Sequence, residues 1–154
     1  MLRLSKKADY ALMAVTHLAV RPSPSTSARE IAEQYDIPLE LMAKVLQRLV
    51  RVGLLVSTQG TRGGYALGRP PAAMTVADVI QAIDGPFGIT ACSTTEHNCD
   101  QYTKCSIRDP LWQIRERIAT TLQTVTIAEL AAERVLSDPP GSDRPVAYAA
   151  VLRR

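Results

Sequence analysis

The chain has 154 residues, a formal net charge of +3 and 46% hydrophobic residues, enough to bury one core and an appended element without disulfide staples. Its three cysteines are an odd number, and Lys6, Lys7, Asp9 and His17 interrupt the N-terminal stretch, which argues against a disulfide scaffold and an export signal and predicts a reducing cytoplasm. No apolar run reaches the length of a membrane span, and the charge is uneven: residues 1–70 hold ten Lys and Arg against five Asp and Glu, a net of +5, whereas residues 71–154 hold eight against ten, a net of −2. That asymmetry points to a polyanion partner for the first half.

In chain order, LSKKADYALMAVTHLAV predicts a first helix with Ser5 as N-cap and with Tyr10, Ala14, His17 and Leu18 on one face. On that apolar face His17 reads as a core residue. RPSPSTS is a linker, and Ser27 with Glu30 forms a capping box that opens a short second helix, AREIAEQY. Pro38 suits the first turn of a third helix. There LELMAKVLQRLVRV places Leu41, Val45, Leu49 and Val52 inward, and Gly53 ends it. LLVST and YALG then predict two short strands joined by QGTRGG, whose glycines permit the positive φ angles of a tight turn.

Two short helices, a brief turn between them and a following hairpin form the order of a winged helix-turn-helix. The third helix carries Glu40, Lys44, Gln47, Arg48 and Arg51 on the side away from its apolar stripe, at spacings of three and four. Such a face suits a DNA major groove. Lys44 and Arg48 match guanine O6/N7 or phosphates, Gln47 matches adenine, and Glu40 can accept from cytosine N4. Arg62, at the hairpin tip, is placed for the adjacent minor groove. A solvated charged face is the plainer reading of an isolated helix; the preceding turn and the glycine-rich wing favour the groove.

Thr75 and Asp78 form another cap, ahead of the helix VADVIQAIDG. Beyond residue 109, Pro110 opens a long amphipathic helix whose Leu111, Ile114, Ile118, Leu122 and Val125 repeat at three and four. Its apolar stripe can cover the chain's own first domain, but a long terminal helix in a small protein is the natural seam of a two-fold dimer, which in turn suits a palindromic site. Thr126 and Glu129 cap a final short helix, IAELAAERVL, and residues 137–154 read as a tail, including Arg153 and Arg154. The expected organisation is a winged domain over 1–85, a cysteine loop over 86–108, a dimerisation helix with the short final helix over 109–136, and the tail. The fold class is mostly α with a small β-hairpin.

All three cysteines fall in that loop, as Cys92-x6-Cys99-x5-Cys105. The tight knuckle of structural zinc sites is missing, although Cys3His with His97 stays open, and so do redox thiols. Three spaced thiolates also suit an iron–sulfur cluster, whose iron prefers sulfur donors. No Ser/His/Asp set, paired carboxylates or phosphate loop points to an enzyme.

MLRLSKKADYAL, IPLELMAKVLQRLVRVGLLVSTQGTRGGYALGRP, MTVADVIQAIDGP and the loop GPFGITACS, in this order over residues 1–134, resemble the Rrf2 family of winged-helix regulators. That group includes IscR, NsrR and the SUF-system regulators, and the loop and VTIAEL look closest to the last. The resemblance implies a homodimeric transcriptional regulator that binds double-stranded promoter DNA, with a 2Fe-2S or 4Fe-4S cluster on Cys92, Cys99 and Cys105 tuning its binding at cluster-assembly genes. Relatives of the IscR type are expected to place a histidine three residues after the third cysteine, where this chain has Arg108. The fourth-ligand candidates are therefore Asp9 of the partner subunit, as in some NsrR-like relatives, then His97, or a small exchangeable molecule.

Overall fold

The computed structural model describes residues 4–21, 25–60, 63–89 and 99–136. Its elements are α1 (Lys6–Val20), α2 (Ala28–Gln34), α3 (Leu39–Arg51), β1 (Leu55–Thr58), β2 (Gly64–Leu67), a 3-10 turn (Pro71–Ala73), α4 (Val76–Asp84), α5 (Arg108–Thr124) and α6 (Ile127–Leu136). The fold is the expected mostly helical winged helix-turn-helix with one antiparallel hairpin.

Local chemistry sets most of the helix starts. Ser5 Oγ accepts from Ala8 N, and capping boxes join Ser27 to Glu30 and Thr75 to Asp78. Thr126 and Glu129 bond reciprocally at the start of α6, with Glu129 N donating to Thr126 Oγ1 and Thr126 N to the Glu129 carboxylate. Each cap satisfies amide donors that the first turn leaves without intrahelical partners.

The core lies where α1 meets the other helices. Ala11, Ala14 and Val15 of α1, Ile31 of α2, Met42, Leu46 and Leu49 of α3, Leu55 of β1, Val79 of α4 and Ile127 of α6 are all fully buried within one cluster. The alanines on α1 let neighbouring helices approach closely. His17 is 5% exposed, and its Nδ1 lies 3.2 Å from the Tyr35 hydroxyl, so it is the core histidine its helix face predicts.

Three expectations shift. The inward stripe of α3 is Met42, Val45, Leu46 and Leu49, while Leu41 is half-buried and Val52 is 41% exposed. Its helix carries apolar side chains on adjacent rows, and the packing partners select one of them. The long helix begins at Arg108, so Pro110 stands inside its first turn rather than opening it; that turn needs no amide donor from Pro110. Of the wing glycines, Gly60 has a positive φ of 115°, but Gly63 and Gly64 do not. They are required for space: an added Cβ would lie 2.5 Å from Thr58 O at Gly63 and 2.6 Å from Thr26 O at Gly64.

The last contact comes from α6. Ile127 N donates to Met74 O and Val76 N to Val125 O, forming a bridge between Thr75 and Thr126 that turns α6 back onto α1.

Candidate nucleic-acid interface and thiol segment

Burial of one side fixes the outward face of α3. With Met42, Val45, Leu46 and Leu49 held in the core, Glu40, Lys44, Gln47, Arg48 and Arg51 are all exposed on the remaining surface. Both helix ends are closed by backbone. Leu41 N and Met42 N each donate to Pro38 O at 3.0 Å, and at the other end Gly53, with φ 73°, allows Gly53 N to reach Val50 O and Leu54 N to reach Leu49 O. That is a Schellman closure, in which the left-handed residue is one glycine tolerates without strain. Arg48 and Arg51 also sit in the last turn, where the helix dipole favours cations.

The turn before α3 is equally tight. Ile37 N donates to Ala32 O, and Asp36 adopts φ 52°, a left-handed value that aspartate accepts more readily than most residues. The wing follows directly: Leu55 pairs with Leu67 and Thr58 with Gly64. Thr26, ahead of α2, adds a partial third strand, exchanging backbone hydrogen bonds with Tyr65 at 2.9 and 2.8 Å. The helix-turn-helix and its wing are thus joined through backbone as well as core. Arg62 lies outside the described residues.

The structure adds a feature of Arg48 that helical spacing does not reveal. Its Nε donates to Ala82 O of α4 at 2.9 Å, fixing one edge of the guanidinium to the scaffold while the side chain stays exposed. The last turn of α4 also holds the start of α1, because Asp84 accepts from Ser5 N at 3.1 Å and from Ser5 Oγ at 2.5 Å. No local sequence signal links residues 79 positions apart.

Cys99 and Cys105 are free thiols, each half-buried, in a turn closed by Tyr102 N to Cys99 O and Lys104 N to Gln101 O. Arg108 straps this turn to the start of α5. Its Nη1 donates to Tyr102 O at 3.2 Å, its guanidinium lies 4.8 Å from the Tyr102 ring centroid, and its Nε meets Asp109 at 2.7 Å. The hydrogen bond and charge of Asp109 raise the Arg108 pKa, and Arg108 in turn holds the Asp109 carboxyl below its ordinary value. At the position where a histidine ligand is expected in IscR-type relatives there is therefore a committed cation, without a lone pair for a metal.

Cys92 and His97 lie outside the described residues. Asp9 is exposed in the first turn of α1. Among the described residues no group of three His, Cys, Asp or Glu side chains converges. The two described thiols nonetheless suit thiophilic iron in donor type and accessibility.

Beyond the turn, α5 buries none of its side chains; Leu111, Ile118 and Leu122 are half-buried and Ile114 is 45% exposed. Arg115 ties this helix back to the residues after α4, donating from Nε to Phe87 O at 3.1 Å and lying 5.4 Å from the Trp112 ring centroid. No helix among the described residues is long and apolar enough to cross a membrane.

Comparison with known proteins gives consistent results. Residues 4–133 match the family model Rrf2, described as an iron-dependent transcriptional regulator. The HTH-type transcriptional regulator IscR of Yersinia pestis is 33% identical over 131 residues, covering 84% of this chain and 79% of the relative. Among solved structures, CymR (YrzC), the global cysteine regulator of B. subtilis, superposes with a TM-score of 0.71 at 26% identity, covering 90% of this chain and all of CymR. T. potens IscR has the same fold, with a TM-score of 0.69 at 23% identity over 91% of this chain and 94% of its own.

Proposed function

The chain belongs to the Rrf2 family of transcriptional regulators, a DNA-binding regulator rather than an enzyme, and on that premise we propose that it acts in the cytoplasm as a homodimer on double-stranded promoter DNA, tuned by an iron–sulfur cluster. The single observation that carries the DNA reading is the division of α3: one side is locked in the core, and the other presents Glu40, Lys44, Gln47, Arg48 and Arg51 beside the wing. Lys44 and Arg48 are assigned to guanine or phosphate, Gln47 to adenine, Glu40 to cytosine and Arg62 to the minor groove, with Arg51 on the same face as the α3 set. The unburied stripe of α5 is assigned to the two-fold interface, which would set the two recognition helices about one DNA turn apart.

Cys92, Cys99 and Cys105, as thiolates, would hold the cluster, with Asp9 of the partner subunit or His97 as the fourth ligand. A bound cluster supplies an iron-, oxidant- and nitric oxide-responsive centre. The chain's part is positional: the described thiols lead into α5 through the Arg108 strap, and Arg115 connects α5 to Phe87 just beyond α4, the helix on whose Ala82 Arg48 rests. Genes for iron–sulfur assembly are the proposed targets, from the resemblance of the loop to the SUF-system regulators.

Anaerobic purification with iron, sulfide and visible spectroscopy, followed by titration of loaded and stripped protein onto its promoter, tests this reading. The expected result is a coloured protein whose affinity or site choice changes on stripping, with the colour lost in Cys99→Ala. A colourless protein that binds DNA equally in both states would overturn the cluster assignment. That outcome would favour a second reading, a cluster-independent regulator with a zinc or redox-thiol loop, which the free thiols of Cys99 and Cys105 and the likeness to the cysteine regulator CymR support.

A further inference from the structure

Beside the outward face of α3 lies a cleft of about 310 Å³ whose α1 side, at Lys7, no sequence motif marks. Lys7, from the first turn of α1, forms one wall, and Lys44, Arg48 and Arg51 of α3 form the other, over a floor that includes Ile83 of α4. All four cations are exposed. None of them makes an ion pair with another described residue, and no carboxylate lines the cleft among the described residues. Asp9 is only two positions from Lys7 and so projects from the other side of α1. Asp84, at the end of α4, is already taken up by the Ser5 amide and hydroxyl.

The cleft is built in advance. Its α1 wall is fixed by Ser5 to Asp84, and its α3 wall by Arg48 Nε to Ala82 O, so both walls stand on the same last turn of α4. The Arg48 bond leaves its other N–H groups for a further acceptor. Four like charges gathered over an apolar floor repel one another, and an anion seated among them would relieve that repulsion. Lys7 also adds its charge at the positive end of the α1 dipole.

We propose that this cleft is a binding site for a DNA backbone phosphate and that Lys7 of α1 is a phosphate-contacting residue, extending the interface beyond the recognition helix and wing. The inference rests on the DNA-binding role proposed above. It assigns Lys7 to affinity and register rather than to base discrimination, because a phosphate carries no sequence information.

The test is the affinity of the full-length protein for a promoter duplex and for an unrelated duplex, measured by fluorescence anisotropy across a salt series. Lys7→Gln is expected to weaken both complexes by a similar factor, roughly fivefold to tenfold, and to reduce the slope of log affinity against log salt by about one per bound protomer, hence by about two for a dimer. Lys7→Arg should restore both quantities. Lys6→Gln, an exposed neighbour that does not line the cleft, should change neither. If Lys7→Gln keeps wild-type affinity and slope, or if Lys6→Gln matches its loss, the site is refuted while DNA binding stands. Wild-type protein that fails to bind its promoter would instead refute the DNA-binding role itself.

Discussion

The helices α3 and α5 follow the same apolar period but end differently: α3, with 13 residues, sinks four side chains into the protomer, whereas α5, with 17, sinks none. Neither start has a side-chain cap, so capping does not separate them. The difference is supply of neighbours. Around α3 stand α1, α2, α4 and β1, while α5 meets chiefly α4. A helix with its apolar side satisfied can offer its polar side to a ligand. One whose stripe remains outside offers that stripe, and under the proposed function the two helices would take up different partners within one small chain.

The contrast can be broken most severely from the α3 side. Leu46→Ala removes a fully buried side chain and is expected to cost about 2–5 kcal/mol, measured by denaturant unfolding. Ile114→Asp on α5 should barely alter the protomer's helical signal yet weaken self-association by at least about tenfold, as a charge set into an apolar contact must be desolvated; sedimentation equilibrium reads this directly, and an unchanged dimer would remove α5 from the interface. Gln47→Ala should leave stability intact and reduce discrimination at one base pair by about 1–3 kcal/mol, seen by comparing operators mutated at single positions.

Smaller effects sharpen the picture. Arg115→Met removes the donor to Phe87 O and is expected to cost about 1 kcal/mol, with faster amide exchange at the start of α5 and none at α3. The smallest effect is acid sensitivity. Because Asp109 is held below its ordinary value of 3.8 by Arg108, its contribution is present above that value and is lost as pH falls through the depressed one. The first turn of α5 should loosen there, and Asp109→Asn should abolish this step; NMR of the residue 108–112 amides checks both.

What the sequence made legible was local. Ser5, Ser27 with Glu30, Thr75 with Asp78, and Thr126 with Glu129 act within three residues, and all four start their helices as expected. The outward set on α3 was equally legible, since burial of any neighbouring stripe leaves Lys44, Gln47, Arg48 and Arg51 outside. The choice between Leu41 and Met42 was not, because it depends on which helices surround α3. Nor were Arg48 to Ala82, Ser5 to Asp84 or Thr26 to Tyr65, which join residues distant along the chain through groups every residue or many residues possess. The need for Gly64 belongs to the same class: its reason is Thr26, 38 positions earlier. Cys92, His97 and Arg62 lie outside the described residues, so their assignment rests on sequence.

The return of α6 to α1 has a consequence for how the molecule comes into being. Ile127 is fully buried in the core that also contains Ala11, Ala14 and Val15. During synthesis α1 emerges about a hundred residues before that partner. At the ribosome, the half of the chain that carries the recognition helix therefore waits with an open hydrophobic seam, a contact of high sequence separation that slows folding and favours a chaperone's attention. The DNA-facing half is therefore expected to complete its core only once α6 has emerged.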